Sequence, residues 1–273
     1  MTRVLRTTIQ YTALLTSILL LSGCFERHRS TDSLCEGYPQ LCADTNLNDG
    51  QCRLQRASLI WQRYDVYKNP SDSEKFQELK FTYDYQKCLE YAARIEPTEF
   101  KERKTNRSRA LINAYDSIKR LNTELAHSTD PDILYFRWSQ GERAALRQFL
   151  RLEGSPSLET PDLQFGLASY YTAKDQEKTI RLLKHALELY QPNQVIKPEI
   201  IQSLATLSHQ QGHTNTAYLW AKIGKELSIP VTSQAKLSTF YPMTTQQRET
   251  LDLKAEKIAE AIRDGQFNAN MVQ

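Results

Sequence analysis

The sequence predicts an all-α protein made of antiparallel helix pairs and preceded by a disulfide-stapled helical hairpin. Three observations predict it. Glycine occurs only 9 times in 273 residues, while the strong helix formers Leu, Ala, Glu, Lys and Gln are plentiful. Asp130-Pro131, Thr160-Pro161 and Lys197-Pro198-Glu199 each put proline at a first helical position, where its fixed φ fits and its missing N–H costs nothing. Cys52 and Cys88 stand symmetrically about the break Asn69-Pro70-Ser71, 18 residues away on each side (70 − 52 and 88 − 70).

Residues 1–23 read as an export signal. Arg3 and Arg6 open it, and an apolar run from Tyr11 to Leu21 follows. A spanning helix needs about 20 apolar residues, so this shorter run fits the apolar region of a secretory signal. Leu21-Ser22-Gly23-Cys24 resembles the lipobox of bacterial lipoproteins at every position. The resemblance implies diacylglycerol on the Cys24 sulfur, cleavage before Cys24 and acylation of the freed amine. Two or more chains hold a protein stably, at about 0.8 kcal/mol per buried CH₂. Phe25 follows, where aspartate would signal inner-membrane retention in the Gram-negative pathway, so the resemblance implies the periplasmic face of the outer membrane.

Without residues 1–23 the chain keeps 250 residues (273 − 23), and its 33 basic residues (35 less Arg3 and Arg6) against 32 acidic leave about +1. That balance excludes an electrostatic footprint for nucleic acid. From residue 24 to about residue 50 the chain is polar and reads as a lipidated, flexible tether.

The N-terminal helical portion spans 51–127. Leu54, Leu59, Ile60, Tyr64 and Tyr67 line one helix over Arg53 to Lys68, and Phe76, Leu79, Tyr83, Leu89 and Ala92 line a second over Asp72 to Glu96. Ser71 with Glu74 reads as a capping box. Folding this hairpin about Pro70 brings Cys52 beside Cys88, which leaves Cys35 and Cys42 to close a small loop around Gly37 and Pro39. Four cysteines after Cys24, in an oxidising periplasm, read as two disulfides. Ala110, Ala114, Ile118, Leu121 and Leu125 define a third helix beyond Pro97 and a basic stretch.

Residues 128–264 form the second portion. Helices start near 131, 161 and 198, each followed by a partner near 141, 176 and 214. Leu204-Ala205, Gly212, Ala217 and Gly224 are spaced as in a tetratricopeptide repeat or its Sel1-like relative, which they resemble. The preceding unit, Phe165-Gly166 to Leu189, is similar but has Thr179 where alanine is usual; Tyr135, Gly141, Ala145 and Phe149 form a fainter copy. The offset from Thr179 to Ala217 and from Ala186 to Gly224 is 38 residues both times. The resemblance implies a solenoid of stacked helix pairs, with a final helix at about Thr245 to Asp264 capping the exposed end. Residues 265–273 read as a disordered tail. The whole mature chain also resembles an uncharacterised family of Gram-negative envelope lipoproteins, which implies no activity.

Candidate functional residues are few. His209 and His213 have ligand-like spacing, but Gly212 breaks the helix between them and no zincin glutamate is present, so no metal site is expected. No phosphate loop or nucleophile elbow occurs, so no enzyme and no cofactor are expected. Lys101, Arg103, Lys104, Arg107 and Arg109 form one concentrated basic stretch ahead of the third helix, where the helix dipole disfavours cations. Arg103, Lys104 and Arg107, with Tyr171 and Trp220 on the repeat helices, are the candidate partner-binding residues. The expected role is a membrane-tethered scaffold or adaptor for another envelope protein; the alternative is a non-catalytic binder of peptidoglycan or anionic lipid.

Overall fold

The computed structural model describes residues 30–98 and 100–272, so the expected export signal and the expected lipidation site Cys24 lie outside the described residues. Among these residues there are twelve α-helices and no strand. The chain divides into two compact units at Ser128/Thr129.

In unit 1, α1 (Thr31–Gly37) and a 3₁₀ turn (Pro39–Leu41) precede three long helices, α2 (Arg53–Lys68), α3 (Asp72–Ala92) and α4 (Glu102–Glu124). α3 packs against both α2 and α4. Leu59 of α2, Tyr85, Leu89 and Ala92 of α3, and Ala110 and Ala114 of α4 share one core with Cys52. The small side chains on α4 let it approach α3 closely. Both expected disulfides are present: Cys35–Cys42 closes a loop of sequence separation 7, and Cys52–Cys88 bridges a separation of 36. Ser71 caps α3 by accepting from the Glu74 N–H at 3.2 Å. The Glu74 carboxylate does not return the bond; it accepts from Gln62 Nε2 of α2 at 2.6 Å, tying the hairpin together.

Two expectations for this unit are corrected. Residues 30–50 are not a free tether: α1 and its loop pack Leu34, Leu41 and Cys42 against Ile60 and Tyr64 of α2. The sequence gives this arm few apolar residues, but the disulfide concentrates them on one side. The basic stretch does not precede the third helix either. It forms the first turns of α4, which starts at Glu102.

Unit 2 contains α5 (Pro131–Ser139), α6 (Arg143–Arg151), α7 (Pro161–Tyr171), α8 (Gln176–Glu188), α9 (Pro198–Gln210) and α10 (Thr214–Glu226), packed as consecutive pairs. Asp130 caps α5 by accepting from the Asp132 and Ile133 N–H groups, and Thr160 caps α7 from Leu163. Gly212 makes the α9–α10 turn at φ +75°, a left-handed conformation that favours glycine. Gly224 serves close approach: a Cβ there would lie 2.8 Å from Val231 Cγ1 and 3.3 Å from Ile201 Cγ2. Thr179 and Ala217 are both fully buried.

A short helix, α11 (Gln234–Phe240), follows, unforeseen in the sequence, and then α12 (Thr245–Arg263), which packs on α10. A complete capping box of Thr244 and Gln247 starts α12. The final residues are not disordered, against expectation: Phe267 and Val272 enter the core beside Trp220, and the Ala269 N–H donates to Glu188 Oε1 at 2.8 Å. Met271 packs against the same core, so Phe267, Met271 and Val272 dock a segment that is otherwise mostly polar.

Candidate functional site

The recess of interest in unit 1 lies between the arm and the start of α4. Two adjoining hollows of about 210 and 340 Å³ share Leu47 and Asn106 in their linings. Asp44 to Asp49 form one wall; Phe100, Glu102, Arg103, Asn106, Arg109 and Asn113 form the other.

Local sequence chemistry shapes the arm wall. Asp44-Thr45-Asn46-Leu47-Asn48-Asp49-Gly50 is rich in residues whose side chains satisfy nearby backbone groups. Thr45 Oγ1 donates to the Cys42 carbonyl at 2.8 Å, and Asp49 Oδ1 accepts from the Gln51 N–H at 3.1 Å. Asn48 turns the chain at φ 62°, which asparagine tolerates. Three-dimensional bonds then fix the wall. Arg63 of α2 grips the Asp44 carboxylate at 2.6 and 3.1 Å, and Asn113 Nδ2 of α4 donates to the Asp44 carbonyl at 3.1 Å.

Beneath the arm lies a buried polar network. Arg56 Nη1 donates to the carbonyls of Asn46 and Asp49 at 2.8 and 3.0 Å, and the Asn46 N–H donates to the Tyr85 hydroxyl at 2.9 Å. Burial pushes the Tyr85 phenol up to about 12. Arg107 holds Asp49 through two hydrogen bonds, Nε to Oδ2 at 2.5 Å and Nη2 to Oδ1 at 3.1 Å. Its Nη1 also donates to the carbonyls of Ala92 and Ile95 at 3.2 and 3.3 Å, satisfying the end of α3. Burial works to raise the Asp49 pKa, but the bonds from Arg107 and Gln51 and the guanidinium charge outweigh it, and the net direction is down. The Asp49 bond is the main cause that holds Arg107 above its ordinary value.

On the opposite wall Phe100 sits at φ 55°, unusual for a non-glycine residue. Its ring is 57% exposed, with the Arg103 guanidinium 4.6 Å above the centroid. The cleft therefore offers guanidinium and amide donors beside an aromatic face. Those groups suit carbonyl or carboxylate acceptors next to an apolar side chain.

The sequence-predicted residues separate sharply here. Arg103 lines the cleft, and Lys104 is exposed and paired with Glu96. Arg107 is only 4% exposed and is committed to Asp49, so it leaves the candidate surface. Trp220 also leaves it: its exposure is 0%, and its ring lies 6.2 Å from Phe267 in the core of unit 2. Tyr171 is half-buried; its hydroxyl donates to Glu153 Oε2 at 2.7 Å and Lys178 covers its ring at 3.7 Å. His209 Nδ1 lies 3.2 Å from the Tyr241 hydroxyl, and His213 immediately precedes α10. Among the described residues no group of three His, Cys, Asp or Glu side chains is placed to hold a metal. Sequence reasoning missed Asn46, Asp49 and Asn106. The run of Asn and Asp from 44 to 49 was the available signal, read only as tether.

No curated protein and no solved structure matches this chain. One family model does match, over residues 21–222, which is more than half of the chain. The chain belongs to the family described as Protein of unknown function (DUF2989).

Proposed function

We propose that this protein is an outer-membrane-anchored periplasmic lipoprotein that works without catalysis, as a helical scaffold binding another envelope protein. The address rests on the lipobox Leu21-Ser22-Gly23-Cys24. Two disulfides support it, because such bonds persist in an oxidising compartment. The repeat-like spacing of unit 2, with Thr179 and Ala217 buried at the 38-residue offset, supports a tetratricopeptide-like scaffold.

The observation that carries the binding role is the cleft beside Arg103. Its lining sets the exposed Phe100 ring beside the Arg103 guanidinium, with Asn106 next to them. An exposed aromatic ring with arginine beside it matches the aromatic and arginine enrichment of protein-binding surfaces. The alternative, a binder of peptidoglycan or anionic lipid through the basic stretch, keeps Arg103 and Lys104 but loses Arg107 to its internal ion pair.

A photocrosslinking residue at position 103 or 106, in cells, tests the reading. One envelope protein captured from both positions, and not from a control at the exposed Lys257, is the expected outcome. Crosslinks to glycan or lipid alone would overturn the protein-partner assignment.

A further inference from the structure

The arm of unit 1 changes where the protein stands with respect to the membrane. A flexible tether over 24–50 would let the folded part range far from the lipid. Instead the chain is folded from Ser30, where Ser30 caps α1 through the Ser33 N–H. Cys24 precedes Ser30 by six residues (30 − 24). At about 3.5 Å per residue a fully extended segment spans roughly 21 Å. An acylated Cys24 therefore holds α1 within that distance of the bilayer.

The surface at this place has a distinct composition. Leu34 of α1 packs with Ile60 and Tyr64 of α2, and Tyr38 and Trp61 lie against the same cluster. Tyr38 is 5.2 Å from Tyr64 and 5.3 Å from Tyr67, ring to ring, and Trp61 meets Tyr64 at 6.2 Å. Tyr67 is 58% exposed, Trp61 is half-buried, and Lys68 stands 5.0 Å over the Tyr64 ring. Tyrosine and tryptophan collect at membrane–water interfaces because one end of each side chain is apolar and the other hydrogen-bonds to water.

We propose that the face carrying Tyr38, Trp61 and Tyr67 rests in the headgroup layer of the phospholipid bilayer that holds the Cys24 acyl chains. This rests on the lipoprotein reading above and deepens it. The second contact fixes the orientation of unit 1 on the membrane. Arg27 and Arg29 in the connecting segment add attraction to anionic headgroups, while Glu26 in the same segment and Asp32, Glu36 and Asp65 on α1 and α2 oppose it. The contact is consequently interfacial rather than electrostatic, and raised salt should weaken it little.

The test uses the complete lipidated protein in phospholipid nanodiscs that contain a headgroup-labelled spin quencher. Tryptophan emission should be quenched, and Trp61→Phe should remove that quenching while the protein still co-purifies with the discs. Tyr67→Ala should reduce it. Acylated, disc-bound protein whose emission ignores the quencher, or is quenched equally in Trp61→Phe, overturns the proposal and leaves the lipoprotein reading intact. So does a disulfide-intact dimer in the disc that shields Trp61 through a second copy. Absence of any acyl group on Cys24 overturns both.

Discussion

Arg103 and Arg107 lie four residues apart on α4 and meet opposite surroundings. Arg107 and Asp49 each keep 5% of their side-chain surface exposed. Replacing Arg107 by alanine leaves a buried carboxylate without its counter-charge and the end of α3 without a donor. The expected loss is about 3–5 kcal/mol, measured as a lowered denaturation midpoint. Arg103→Ala should change stability by less than about 0.5 kcal/mol, as for an ordinary surface position. Equal effects would show that the ion pair does not hold the arm. Protons give a second measure of the same pair. The folded Asp49 pKa is depressed, so its contribution is complete above the unfolded value of about 3.9 and is lost as pH falls through the lower folded value. Wild-type stability should fall in that acid range, and Asp49→Asn should flatten the fall.

In unit 1 one disulfide closes a loop of the arm and the other ties the start of α2 to α3. In the chain-entropy account a cross-link stabilises by restricting the unfolded chain, more so for a longer loop. Cys52–Cys88 closes a separation of 36 and Cys35–Cys42 one of 7. Replacing both members of a pair by serine should therefore cost about 4 kcal/mol for the first and about 2 kcal/mol for the second. Thermal unfolding of the two double variants measures the difference; a reversed order would contradict the loop argument. In unit 2 the helices carry their own signals instead. Proline after Asp130 and Thr160 sets the starts, and glycine at 212 sets a turn.

At the scale of the whole molecule, the last residues complete the core of unit 2. Phe267 and Val272 are buried to 5% and 7% exposure beside Trp220. Gly265 lets the chain turn toward them at φ 64°, where a Cβ would meet the Tyr190 carbonyl at 2.9 Å. Deleting residues 266–273 should cost at least about 3 kcal/mol, from the apolar surface uncovered. It should also shift Trp220 emission to longer wavelength. Unchanged stability and an unshifted spectrum would mean that the segment does not dock.

The sequence alone determined the all-α class, the starts of α5, α7 and α9, the α2–α3 hairpin and both disulfide pairings. Each follows from rules that act within a few turns of chain: propensity, capping, proline geometry and symmetric spacing about a break. Tertiary structure decided which of several equivalent residues is buried. Nothing local distinguishes Arg107 from Arg103, because the difference is Asp49, 58 residues earlier in the chain. Nor does anything local show that the polar segment 44–49 forms a wall, or that Phe267 reaches Trp220. Those outcomes depend on partners distant in sequence, which composition and periodicity do not encode.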